Sequence, residues 1–66
     1  MKLTVNGEEY RHAGDDRLQS LLQALNPDDR KIAVVLNENV VPMEDATTRR
    51  LREGDRIEIL TLAGGG

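Results

Sequence analysis

Lys2-Leu3-Thr4-Val5-Asn6-Gly7-Glu8-Glu9-Tyr10-Arg11 is the stretch on which the fold turns. Its first four residues alternate polar and apolar with period two, the pattern of a strand with one buried face. Asn6-Gly7 is a preferred pair for a two-residue type I′ turn, because both central positions of that turn need positive φ. Residues 8–11 then make a polar returning strand. The chain opens on a β-hairpin, and the residues after Arg11 must extend that sheet or cover it.

The cover comes next. Leu18, Leu21, Leu22 and Leu25 recur at i, i+3, i+4 and i+7, which puts all four on one helical face. Asp15 and Asp16 are the N-cap candidates. Asn26-Pro27 ends the helix, since the residue before proline avoids the α region. The spacing predicts one amphipathic helix over about residues 16–25. Lys31-Ile32-Ala33-Val34-Val35-Leu36 is an apolar run that reads as a strand buried on both faces, in the middle of a sheet. Asn37-Glu38-Asn39 is turn chemistry. Val40-Val41 is a short strand closed by Pro42. Residues 43–52 are polar, with room for one turn of helix. Glu53-Gly54-Asp55 is a further turn, and residues 56–62 form the last strand before Ala63-Gly64-Gly65-Gly66. The expected fold class is α+β: one sheet packed on a single amphipathic helix. Leu3, Val5, the four helix leucines, one face of residues 32–36, Ile57 and Ile59 should share the core.

Composition sets the limits. The 66 residues allow one small domain, with 38% hydrophobic and 32% charged residues. There is no cysteine, hence no disulfide and no thiolate nucleophile. His12, the lone histidine, could supply only one imidazole to a metal, so no metal site is expected. No catalytic pair or phosphate-binding glycine motif is present, and catalytic residues are expected to be none. No run of about 18 apolar residues exists to span a membrane, and no signal peptide is visible at the start. A cytoplasmic protein is the expectation. The net charge of −3 is opposite to that of a general nucleic-acid binder. Arg49, Arg50, Arg52 and Arg56 nevertheless cluster; they read either as a solvated face or as a surface for an acidic partner. His12 and Tyr10 read as solvated residues of the polar second strand. Asp15-Asp16 and Asp28-Asp29 read as capping and turn residues.

Two features of the C-terminal end point towards function. In the last strand Ile57 and Ile59 have one parity, and Glu58, Leu60 and Leu62 the other. With the isoleucines against the helix, Leu60 and Leu62 face out and could dock a partner; a bulge or a covering loop is the alternative. After them come three glycines. Glycine presents no side chain to a narrow active site and takes conformations closed to other residues. Four extended residues reach roughly 13 to 14 Å. The α-carboxylate they end on is ionised at neutral pH, with a reference pKa near 3.3–3.7, and reacts at carbon only after activation. This chain has no motif with which to activate it.

Taken together the sequence resembles the ubiquitin-like β-grasp sulfur carriers, most closely those of the ThiS type. The residues carrying the resemblance are Val5-Asn6-Gly7, the leucine helix, Ala33-Val34-Val35-Leu36-Asn37, Val40-Val41-Pro42, Leu51, Gly54-Asp55-Arg56-Ile57-Glu58-Ile59 and Gly65-Gly66. The resemblance implies a mixed sheet in a β-grasp domain over residues 1–62, with residues 63–66 as a flexible tail. It implies that the protein is not an enzyme and binds no cofactor. An E1-like, ThiF-type adenylating enzyme would use ATP and Mg²⁺ to convert the Gly66 carboxylate to an acyl-adenylate. Sulfur drawn from a cysteine desulfurase would then give a thiocarboxylate. A ThiG-type thiazole synthase would accept that sulfur in thiamin thiazole biosynthesis. Gly66 and Gly65 would form the sulfur-carrying end, Gly64 and Ala63 the rest of the tail, and Leu60 and Leu62 the docking surface of a free monomer. No nucleic acid or membrane partner is implied. The sequence departs from the family in its third glycine, in Met43 after Pro42, and in having no aromatic over residues 43–50. Molybdopterin, cysteine and tRNA-thiolation carriers are the neighbouring readings. A ubiquitin-like modifier and a plain interaction domain are the readings from other classes.

Overall fold

A computed structural model describes residues 1–62. Five strands and one α-helix run in the order β1 (Lys2–Val5), β2 (Glu8–Arg11), α1 (Leu18–Leu25), β3 (Ile32–Leu36), β4 (Asn39–Val41), a 3₁₀ turn (Met43–Asp45) and β5 (Arg56–Thr61). The strands form a single sheet in the order β2-β1-β5-β3-β4. Among the described residues only the β1–β5 pairing is parallel; the hairpins β1–β2 and β3–β4 and the β3–β5 pair are antiparallel. This mixed sheet on one helix is the ubiquitin-like β-grasp.

The first hairpin turns on Asn6 (φ 51°) and Gly7 (φ 84°), as the type I′ reading requires. The second turns on Asn37 (φ 49°) and Glu38 (φ 73°), so a glutamate holds a left-handed position that glycine or asparagine takes more easily.

One face of the sheet packs on α1. Leu18, Leu21 and Leu22 of the helix meet Leu3, Ile32, Val34, Leu36 and Ile57 in a single cluster, with Val5, Tyr10, Leu25 and Ile59 partly buried around it. Val41, Ala46 and Leu51 complete this core. The last two come from the polar stretch after β4, where isolated apolar residues gave no periodic signal.

Several expectations need correction. The helix begins at Leu18, two residues later than its leucine spacing predicted, and its N-cap is Arg17, with no side-chain capping bond. Asp15 acts one step earlier: its Oδ1 accepts the Arg17 N–H at 3.0 Å. Hydrogen bonds from the Ser20 side chain and then from the Arg17 backbone hold the Asp15 carboxyl below its ordinary value. Asp16 instead receives Arg50 Nη1 at 2.8 Å. β3 is neither central nor buried on both faces. It lies between β5 and the edge strand β4, and Ala33 and Val35 are only half-buried, because among the described residues no layer covers the second face. The central strand is β5.

His12 is not solvated. It lies just past β2 with 5% of its surface exposed, and its Nε2 has no hydrogen-bond partner among the described residues. Its backbone pairs with the chain start: His12 N–H donates to the Met1 carbonyl at 2.9 Å, and the Met1 ammonium donates to the His12 carbonyl at 3.1 Å. Gly14 then folds across the ring. A Cβ there would lie 2.9 Å from His12 Cε1, so only glycine allows this approach. Tyr10, also read as solvated, is half-buried opposite Leu3 on the helix face.

Candidate functional site: the open sheet face and the end of β5

β5 is held on both sides. β3 pairs with it from Ile32↔Thr61 to Leu36↔Ile57. On the other side β1 pairs only at Thr4↔Arg56 and Val5↔Ile57, and there the ladder would stop. Asn6 prolongs it: its N–H donates to the Ile57 carbonyl at 2.9 Å, and its Oδ1 accepts the Ile59 N–H at 2.8 Å. Leu62 N–H donates to the Lys31 carbonyl at 3.0 Å, so pairing continues to the last described residue.

The near end of β5 is fastened by side chains. Asn37 Oδ1 accepts the Arg56 N–H at 2.9 Å, and Asn37 Nδ2 donates to Asp55 Oδ1 at 3.0 Å. Asp55 Oδ2 accepts the Arg52 N–H at 2.8 Å. Asn6, Asn37 and Asp55, three of the residues that carried the family resemblance, are thus polar clamps on the central strand.

Residues paired directly across a sheet share a face. Ile57 and Ile59 oppose Leu36 and Val34 on the helix side, as the parity of the strand predicted. Glu58 and Leu60 oppose Val35 and Ala33 on the uncovered side, and Val40 of β4 opposes Val35 there as well. Leu60 is 55% exposed, Leu62 45% and Val40 73%. The structure therefore brings Leu60 together with Ala33, Val35 and Val40 in one apolar strip on the open face. The last three were missed as surface residues. Their signal was the apolar run itself, which carries more aliphatic side chains than a one-faced core strand requires. Arg56 and Glu38 close one end of the strip with an ion pair at 3.6 Å.

The expectations placed on Ala63, Gly64, Gly65 and Gly66 lie outside the described residues. Among the described residues no group of three or more His, Asp or Glu side chains could hold a metal ion, and no helix is long and apolar enough to cross a membrane.

The profile of the ThiS family matches residues 3–66. The chain belongs to the ThiS family. The crystal structure of a thiamine biosynthesis protein (ThiS) from Geobacter metallireducens superposes with a TM-score of 0.82 at 33% sequence identity, covering 100% of both chains. A thiazole synthase from Paramagnetospirillum magneticum is 38% identical over 66 residues, which are 100% of this chain and 20% of that protein. A thiazole synthase from Magnetococcus marinus is 35% identical over the same length and likewise has 20% of its length covered. The ThiS-family chain thus spans about a fifth of these two relatives.

Proposed function

We propose that this ThiS-family chain is a sulfur carrier, not an enzyme, and that its working group is the α-carboxylate of Gly66. The observation that carries the reading is the family match running through to residue 66, on a body whose central strand leads straight to those glycines.

The chemistry stems from the carboxylate. As an ionised group it is a poor electrophile. A ThiF-type adenylating partner, using ATP and Mg²⁺, joins a Gly66 oxygen to the α-phosphorus of ATP and releases pyrophosphate. A sulfur nucleophile fed from a cysteine desulfurase attacks the resulting acyl carbon and expels AMP. The sulfur arrives as a persulfide, so the product is an acyl disulfide; a thiol then attacks its outer sulfur, leaves with the donor as a mixed disulfide, and the terminus remains as a thiocarboxylate. A ThiG-type thiazole synthase takes that sulfur and returns the carboxylate. Relatives named thiazole synthase that contain a matching segment support this choice of acceptor.

The body's contribution is mechanical. Gly65, Gly64 and Ala63 carry little bulk into an active site, and they follow β5 in the sequence with only Leu62 between. The strip of Leu60, Ala33, Val35 and Val40, with Leu62 beyond it, supplies an apolar surface for a partner enzyme.

The test is intact mass after incubation with a ThiF-type enzyme, ATP, Mg²⁺, cysteine and a desulfurase. Replacement of one oxygen by sulfur, mapped to Gly66 by fragmentation, is the expected result. An unchanged mass, with a known carrier converted in the same mixture, would overturn the reading.

A further inference from the structure

Arg49, Arg50 and Arg52 line one cleft, of about 330 Å³, together with Leu36, Asn37 and Asp55. It lies where β3 ends and β5 begins. β5 runs on from there to Thr61, four residues beyond Ile57 and roughly 13 Å along the strand.

The arginines stand on a fixed backbone. Leu18 N–H donates to the Arg49 carbonyl at 2.9 Å, and Leu51 N–H donates to the Asp16 carbonyl at 2.6 Å. Arg52 N–H is held by Asp55. Leu51 is buried between Arg50 and Arg52 and anchors the segment in the core. Arg50 is paired with Asp16, whereas Arg49 and Arg52 make no ion pair among the described residues. The Asp55 carboxylate within the cleft is already engaged on both oxygens, by Asn37 Nδ2 and by the Arg52 N–H.

We propose that this arginine cleft docks an acidic segment of a partner protein, with Arg49 and Arg52 as the anchoring cations. Guanidinium forks match carboxylates two bonds at a time. A phosphate ligand is the weaker fit: phosphate cradles are built from converging backbone N–H groups, and here those of Leu51 and Arg52 are already spent inside the protein. The open, shallow shape suits an extended chain better than a small enclosed anion. On a chain of net charge −3 an acidic partner is repelled in general, so a local basic cleft fixes the orientation of approach. The cleft lies at the start of β5, so a partner segment held there stays clear of Thr61, the strand end that precedes the glycines in sequence.

The experiment titrates the full chain with a synthetic hexapeptide of alternating glutamate and glycine, and separately with inorganic pyrophosphate. NMR reads the arginine Nε–H and backbone amide signals. The peptide should move the Nε–H signals of Arg49 and Arg52 before those of Arg11 and Arg30, and more tightly than pyrophosphate does. Raising salt from 50 to 300 mM should weaken it. The Arg49→Gln/Arg52→Gln variant, altered only at exposed positions, should keep its amide spectrum and bind the peptide at least fivefold more weakly. Equal shifts at all arginines, a preference for pyrophosphate, or unchanged peptide binding by the folded double variant would each overturn the proposal. The first result would mean non-specific charge, the second a phosphate ligand.

Discussion

Replacing Asn6 should loosen β5 in a way that separates backbone conformation from hydrogen bonding. Asn6 holds φ 51°, and its Oδ1 accepts the Ile59 N–H at 2.8 Å where β1 has already ended. Asn6→Asp keeps an acceptor and should cost little. Asn6→Gly keeps the left-handed backbone and removes the acceptor, so it should cost about one hydrogen bond, on the order of 1 kcal/mol. Asn6→Ala also removes the acceptor and keeps a Cβ in the left-handed region without the side-chain hydrogen bonding that lets asparagine sit there, roughly a further 1–2 kcal/mol relative to the glycine variant, for a total of about 2–3 kcal/mol. Domains of this size hold roughly 3–10 kcal/mol in all. One kcal/mol corresponds to about 4–8 °C in Tm, so the glycine variant should melt roughly 4–8 °C lower and the alanine variant about 8–24 °C lower. Urea unfolding gives the free energies, and native-state amide exchange gives the location. In the glycine variant Ile59 should lose protection ahead of Val34 and Leu36. If Asn6→Gly matched the native chain in stability and in Ile59 exchange, the clamp would not be holding the strand. If Asn6→Gly and Asn6→Ala were equal, the left-handed cost would be absent and the turn assignment would fail.

Three further outcomes are expected. Leu60→Asp, on the uncovered face, should shift melting far less than it weakens binding to the adenylating partner; unchanged affinity by titration calorimetry would remove the docking role. Deleting Gly65 and Gly66 should leave the amide spectrum of residues 1–62 intact and abolish thiocarboxylate formation, and sulfur on the truncated chain would show that another group carries it. The depressed pKa of Asp15 places its stabilising contribution above the ordinary aspartate value of 3.8, to be lost as pH falls through the folded value. Asp15→Asn should therefore flatten stability between about pH 5 and pH 2 relative to the native chain, and parallel pH curves in urea titrations would count against the Ser20 and Arg17 contacts as the cause.

Local chemistry made much of the fold legible. Asn6-Gly7 specifies its turn without help from the rest of the chain, and three of the four helix leucines are in the core because their spacing permits only one buried face. The apolar run in β3 was harder. An aliphatic strand at the centre of a covered sheet and one beside an uncovered strip have the same composition, so only the layer arrangement separates them. His12 gave no signal, because its burial comes from the chain start pairing with it and from Gly14 closing over the ring, contacts with no periodicity. Asp55 and Asn37 read simply as turn residues. Their grip on Arg56 and Arg52 joins positions 18 or 19 apart, or bridges a loop, and becomes visible only when β3 and β5 are side by side. For the site, the exposure of Leu60 and Leu62 was deducible from strand parity, whereas the partnership of Leu60 with Val40 depended on sheet order.

The position of β5 has a consequence for how the protein comes into being. This strand is the last of the sheet in sequence and the middle one in space, so the two hairpins flanking it have no direct strand-to-strand pairing with each other. A growing chain on the ribosome can form β1–β2 early, but isolated hairpins are marginal in water. The sheet closes only when residues 56–61 emerge and pair with β1, more than fifty positions back, and loop closure of that kind is slow. Truncated products therefore stay open to proteases, while the chains that fold are those synthesised almost to the glycines. Closure of the sheet therefore waits for β5, the strand that stands directly before Ala63-Gly64-Gly65-Gly66 in the sequence.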